Sequence, residues 1–274
     1  MERIRGDDLV ETSKEHKRYL LGIKKHKIYV NLWRWGLLLF FILIWELGAT
    51  LGLIDAFIMS SPSRIIATIG DLVKDGTLFY HIGITLLETL AGFLIATVLG
   101  CLIAIAFWWW GTINEVLEPY VVVLNALPKI ALGPIIIIWV GAGVQAIITM
   151  ATLVCIIITV INMQNAFFAV EKEKILLMKT MHANKFQILT KLVIPASLPA
   201  FISNLKINVG LSWVGSIIGE YLVSRAGLGY LIVYGGQIFK LDLVMCSTVI
   251  LCALAGGMYA IVAFIEKKFA SKHK

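Results

Sequence analysis

"MKTMHANKFQILTKLVIPASLPAF", residues 178–201, lies between two long apolar runs and resembles neither. It carries lysines, a histidine, an asparagine and two prolines, Pro195 and Pro199. "EKEKILLMKTM" (171–181) reads as a helix, with acidic residues near its start and Lys179 near its end, as the helix dipole favours. Ile175, Met178 and Met181 or His182 fall at helical spacing. "HAN" then reads as a turn, and Asn184 as the N-cap of a second short helix beginning at Lys185. That helix is expected to place Phe186, Leu189 and Val193 on one side, with Lys185, Thr190 and Lys191 mostly elsewhere. Pro195 and Pro199 set the entry to the following apolar run. A helix–turn–helix with an apolar face has to bury it, on the chain's own spans or in a partner's groove.

The surroundings of this hairpin are membrane-like. Of the 274 residues, 59% are hydrophobic and only 15% charged, against about a quarter charged in a soluble domain. The apolar residues gather into six candidate spans, about 35–54, 80–108, 115–140, 144–168, 198–222 and 242–265, each near the roughly 20 residues that cross a bilayer core. Positive charge orients them. The first 34 residues hold nine Lys/Arg, the 169–206 segment six and the tail from 267 four, against four on the other side (Arg64, Lys74, Arg225, Lys240). Both termini and the opening hairpin are therefore expected in the cytoplasm, in a multi-pass membrane protein.

Three regions follow: a basic arm (1–34), a six-helix membrane domain (35–266, with the hairpin at about 171–195) and a basic tail (267–274). No apolar core lies near Met1, so the arm reads as retained and the first span as an uncleaved anchor. "YLLGIKKHKIYVNLWRW" (19–35) is either an interfacial helix or a solvated tail. In "DAFIMSSPSRIIATIGDLVKDG", Ser61 or Ser63 is placed to cap a short helix with Ile65, Ile66, Ile69 and Leu72 on one face. The Gly-rich stretch 223–241 is either a segment dipping back into the membrane or a plain loop. Cys101, Cys155, Cys246 and Cys252 sit in apolar runs without a C-x-x-C pair and read as small core residues.

Several features mark the membrane interior. Gly92, Ala96, Gly100 and Ala104 recur at every fourth position, and Gly215 and Gly219 repeat the spacing later. Such stripes admit a closely approaching helix, either in ordinary packing or at a subunit seam. "LEPYVVVLNALPKIALGPIIIIWVGAG" contains Pro119, Pro128 and Pro134, each lacking an N–H and tending to bend a helix. Asn125 and Lys129 stand one turn apart at this bend. A charge facing lipid here costs at least ~2.5 kcal/mol, so Lys129 is expected at an interface, on a pathway or in a structural ion pair. Glu46, Glu88 and Glu220 also lie within spans.

No G-x-x-x-x-G-K-[ST], H-E-x-x-H or G-x-S-x-G occurs, and no ligand-spaced Cys/His cluster. The chain is therefore expected to be no enzyme, to bind no metal or cofactor of its own and to contact no nucleic acid.

The hairpin resembles the cytoplasmic coupling loop, or EAA loop, of permease subunits in binding-protein-dependent ABC importers. That pattern has a Gly, about nine residues, then aliphatic-x-aliphatic-Pro; here His182 is followed by Leu192, Val193, Ile194 and Pro195. "SSPSRI", "TLLETLAGFLIATVLGCLIA", "LPKIALGPIIIIWVGAG", Asn162 in "VIN", and "WVGSIIGEYLVSRAGLGYLI" resemble further family segments in order. The resemblance spans roughly 35–266 and points to the nitrate/sulfonate/taurine group, which also includes permeases for thiamine-pyrimidine precursors.

The resemblance implies an all-α integral membrane protein, type I importer permease-like, with six transmembrane helices and a coupling hairpin. It implies a second permease copy, forming a homodimer, two ATPase subunits carrying ATP and Mg, and an extracytoplasmic solute-binding protein. Coupling would fall to Met181, His182, Ala183, Asn184, Lys185, Phe186, Gln187 and Leu189. Candidates for a translocation pathway are Glu88, Asn125, Pro128, Lys129, Asn162, Trp213 and Glu220. Three departures stand out: Leu176, Leu177 and Met178 replace the family's Glu-Ala-Ala, His182 replaces its Gly, and Glu88 stands where Arg is common in this group. Other readings are an ion-coupled transporter using Glu88, Lys129 and Glu220 as a relay, a channel subunit, and a membrane scaffold.

Overall fold

The computed structural model describes residues 14–270, which form helices joined by short turns and irregular connections. The arm's Arg3 and Arg5 and the tail's Lys272 and Lys274 lie outside the described residues. Two compact units divide the chain, Met1–Ser63 and Arg64–Lys274.

In the first unit, α1 (Lys14–Thr50) runs unbroken through the expected boundary between arm and membrane domain. Its 37 residues would extend about 55 Å, well beyond a bilayer core of about 30 Å. Trp33, Phe40 and Phe41 along it are exposed within the chain. Glu46, near its end, accepts a hydrogen bond from the Ser63 N–H at 3.0 Å. A one-turn helix, α2 (Ala56–Met59), follows, capped by the Asp55 carboxylate, which accepts from the Phe57 N–H at 2.8 Å.

α3 (Pro62–Lys74) starts on a proline, whose missing N–H costs nothing in a first turn. Ile65 is buried and Leu72 packs inward, but Ile66, expected on the same face, is exposed. Arg64 pairs with Asp242 at 2.7 Å.

The core of the second unit is three helices: α4 (Thr77–Trp109), α7 (Val144–Phe168) and α10 (Ile194–Val223), with α7 packed on both others. The small-residue stripes make this possible. A Cβ on Gly92 would lie 2.5 Å from the Ala151 Cβ, and one on Gly100 2.6 Å from the Thr159 Cβ. From α10, a Cβ on Gly215 would lie 2.5 Å from the Ala151 Cα and one on Gly219 2.9 Å from the Ile147 Cα. Ala96 and Ala104 are fully buried. Both stripes thus seat helices inside one subunit. Several buried polar groups are paired across the same seams: Asn208 donates to Thr97 (3.2 Å) and Thr159 (2.8 Å), and the Thr89 and Ser216 hydroxyls lie 2.7 Å apart. Water is absent from a bilayer core, so such pairs have to close within the protein.

The expected third span is two helices. α5 (Gly111–Ala126) and α6 (Gly133–Val140) flank a short 3₁₀ turn (Lys129–Leu132) and meet at 88°. The break falls at Leu127, which is extended (φ −66°, ψ 136°) because it precedes Pro128. Pro119 is carried inside α5 and Pro134 sits in the first turn of α6. Among the described residues, five helices are long and apolar enough to cross a membrane, or six if this bent pair is one span.

Before α10 come α8 (Lys172–Thr180), α9 (Lys185–Ile188) and a π turn (Leu189–Val193). The Gly-rich stretch after α10 is α11 (Leu228–Gln237), a helix packed on α10 and on α12 (Leu241–Ala270).

Candidate functional site

The hairpin closes through two capping devices. α8 ends in a Schellman motif: the Ala183 N–H donates to the Met178 carbonyl and the His182 N–H to the Lys179 carbonyl, both at 3.0 Å. His182 holds the left-handed position at φ 57°, where glycine is usual. α9 starts with a capping box. Asn184 Oδ1 accepts from the Gln187 N–H at 2.8 Å, and Gln187 Oε1 accepts from the Asn184 N–H at 2.9 Å. Together they satisfy the backbone groups at the two facing helix ends.

The hairpin is anchored on the bundle by Ile188, Leu189 and Val193, which join Ala104, Met163 and Phe167 in one buried cluster. Phe186 was expected to share a side with Leu189 and Val193; it is 62% exposed, and Ile188 takes that place. The register differs because α9 is one turn long and passes into the π turn, in which the Ile194 N–H reaches back to the Leu189 carbonyl. Met181 is 73% exposed, and Leu176 and Leu177 are exposed with it. Lys185 turns toward the end of α4: Nζ donates to the Trp109 carbonyl at 2.5 Å and lies 5.8 and 5.5 Å from the Trp108 and Trp109 ring centres. A cation there meets carbonyls that the helix end leaves unpaired.

The seven pathway candidates do not converge. Asn125 and Pro128 are exposed on the broken span, and half-buried Lys129 donates to the Asn125 carbonyl (3.2 Å) and Oδ1 (3.3 Å). Lys129 also lines a crevice with Met150, Val154, Gly215 and Ile218. Asn162 donates to Asn204 Oδ1 at 2.9 Å. Trp213 is buried among Phe93, Val209, Met258 and Val262. Glu88 and Glu220, each 1% exposed, lie against each other inside the bundle. A relay through Glu88, Lys129 and Glu220 is not what the geometry gathers.

The surroundings of the two carboxyl groups escaped the sequence reading. Glu220 Oε2 accepts from the N–H groups of Gly229 (2.6 Å) and Tyr230 (3.3 Å) in the first turn of α11. Thr85 Oγ1 accepts from the Leu228 N–H at 2.8 Å, and His81 Nδ1 from the Gly227 N–H at 2.9 Å. The available signal was "GLGY" following a glutamate. Gly227 (φ 115°) and Gly229 leave the space that the Glu220 side chain fills. Among the described residues, no group of three or more His, Cys, Asp or Glu side chains is placed to hold a metal ion, and the four cysteines are unbridged.

Helices of spanning length, buried polar seams and a capped hairpin between spans define a multi-span membrane protein. Residues 96–271 match the family described as the binding-protein-dependent transport system inner membrane component. The chain belongs to that family. It is similar to the putative aliphatic sulfonates transport permease protein SsuC of Bacillus subtilis, 26% identical over 95% of this chain and 93% of that one. It is also similar to the formylaminopyrimidine transport permease protein ThiX of Halalkalibacterium halodurans, 29% identical over 70% of this chain and 77% of that one. Its fold is shared with an inward-facing structure of the MetNI methionine ABC transporter, at TM-score 0.63 and 19% identity, covering 71% of this chain and 97% of that one. The chain is thus an ABC importer permease with the all-α, multi-span fold of type I importers, moving a small solute with a binding protein. ATP hydrolysis resides on a separate subunit.

Proposed function

We propose that this chain is one of two identical permease copies in an importer for a small organic anion of the sulfonate class, with both termini cytoplasmic in a bacterial cytoplasmic membrane. The observation that carries the coupling half is the hairpin: one face is locked into the bundle by Ile188, Leu189 and Val193, while Met181 and Phe186 stand out from it. An ATPase groove would take those two side chains, and its movement would pass through the anchored face to α4, α7 and α10. In this reading residues 1–34 and 267–274 are basic cytoplasmic extensions of the first and last spans of a domain covering 35–266.

An anionic solute is supported by Lys129. It stands at the break between α5 and α6 and, among the described residues, pairs with no carboxylate. Glu88 weighs little against an anion, because it is enclosed with Glu220. The second reading, a thiamine-pyrimidine precursor, is supported by the likeness to ThiX.

The test is uptake in proteoliposomes holding the whole importer and its binding protein, with an aliphatic sulfonate and formylaminopyrimidine supplied separately. Sulfonate uptake that falls about tenfold or more in Lys129→Ala, with assembly intact, is expected. Uptake of the pyrimidine alone would overturn the anion reading. Phe186→Ala combined with Met181→Ala is expected to lose copurification of the ATPase; unchanged copurification would place docking elsewhere.

A further inference from the structure

Glu88 and Glu220 come from different helices, α4 and α10, yet their carboxyl groups lie together in a site closed to solvent. Their surroundings are unequal. Glu220 Oε2 accepts two N–H groups from the first turn of α11, whose N-terminal dipole favours a negative charge. Neither oxygen of Glu88, and not Oε1 of Glu220, meets a donor among the described residues. The nearby candidates are engaged otherwise. The Thr85 hydroxyl, close to Glu220, donates to the His81 carbonyl at 3.2 Å. His81 Nδ1 accepts from Gly227, and its ring stacks on Tyr230 at 6.1 Å between centres.

Neighbouring buried carboxyl groups with three oxygens lacking a donor cannot both be ionised: two adjacent like charges in a dry site repel, and no cation among the described residues is paired with them. One proton supplies the missing donor and removes one charge. The unequal partners decide where it sits. The N–H groups and the dipole of α11 hold Glu220 as the carboxylate, which leaves the acid form to Glu88.

We propose that Glu88 and Glu220 form a proton-binding site, with a single proton carried by Glu88 and donated to Glu220 Oε1. The ligand is a proton, and the pair fastens α4 to the turn between α10 and α11. The site is separate from Lys129 and from the hairpin, and it does not rest on the solute class proposed above. The glycines fit this role: a Cβ at Gly227 would fall on the Glu220 carboxylate, and one at Gly229 would lie 2.9 Å from both Glu220 Cβ and Oε2.

Infrared spectroscopy of the assembled importer tests the assignment. At neutral pH the wild type is expected to show the carbonyl stretch of a protonated carboxylic acid, shifted by ¹³C-labelling of glutamate and lost in Glu88→Gln. The amide of that variant replaces the donated proton, so its thermal midpoint is expected to stay near the wild-type value, while that of Glu88→Ala falls. Absence of the labelled band from the wild type would overturn the proposal, even if every variant failed to assemble. So would a Glu88→Gln that assembles yet loses as much stability as Glu88→Ala. A midpoint that rises with added sodium or potassium would also overturn it, by identifying a monovalent cation between two carboxylates.

Discussion

The two ends of α10 solve one problem in opposite ways. Each has to turn the chain sharply beside a long apolar helix. At the start, the turn is held by neighbours in sequence: His182 and Ala183 bond back to α8, and Asn184 and Gln187 cap each other. At the finish, the turn is held from far along the chain: Glu220 caps α11, and Thr85 and His81 of α4 take the N–H groups of Leu228 and Gly227. The first is an exposed device closed by its own residues and seated on the bundle through Ile188, Leu189 and Val193. The second is enclosed, and every part of it constrains another helix. A coupling element belongs on the first kind of turn, and a fixed point of the bundle on the second.

Breaking the enclosed end is expected to have the largest effect. Gly227 has φ 115° and ψ 170°, a conformation almost confined to glycine. Gly227→Ala carries a backbone cost of about 1–3 kcal/mol and also drives a methyl group into the Glu220 carboxylate. The expected result is a large fall in the thermal midpoint of the purified permease and loss of assembly. A variant as stable as the wild type would show that the α10–α11 turn is freely remodelled, and the contrast between the two ends would disappear.

This contrast also explains what the sequence disclosed. The hairpin was legible because its determinants are local. Asn184 and the "HAN" turn follow from residues within one turn of each other, whereas the left-handed position at His182 was signalled only by the glycine of the resembled family. One of the three residues expected on the buried face of α9 was wrong: Phe186 is exposed, and Ile188 is buried with Leu189 and Val193. The spans were legible as apolar runs, and a break in the third beside Asn125 and Lys129 was legible too, but not the near-perpendicular pair of helices it makes. Its three prolines look alike in sequence, and only Pro128 breaks the chain, with α6 beyond it packing Ile136 against Ala146 and Met150. The glutamates were legible only as costly residues. Their juxtaposition depends on α4 and α10 both closing on α7, which no local pattern encodes.

A smaller effect tests how the exposed end connects to the bundle. Lys185 binds the Trp109 carbonyl and faces two indole rings. In its exposed setting this is worth about 1 kcal/mol. Lys185→Met is expected to speed amide hydrogen exchange across residues 181–188 about fivefold and to weaken the stimulation of ATP hydrolysis by loaded binding protein. Unchanged exchange would mean that packing at Ile188, Leu189 and Val193 alone ties the hairpin to α4 and its neighbours.

The smallest effect is expected at His182, and its sign carries the information. A non-glycine residue in the left-handed region costs about 1–2 kcal/mol, while glycine gives back about 0.4–1 kcal/mol through the greater freedom of its unfolded chain. His182→Gly is therefore expected to stabilise the permease by about 1 kcal/mol or less, seen as a small rise in thermal midpoint with the Schellman bonds retained. Coupled ATP hydrolysis should be unchanged if histidine only occupies the cap. A stabilised variant with weakened coupling would separate the two roles of this position: the backbone would prefer glycine, and the imidazole would be kept for a contact with the ATPase.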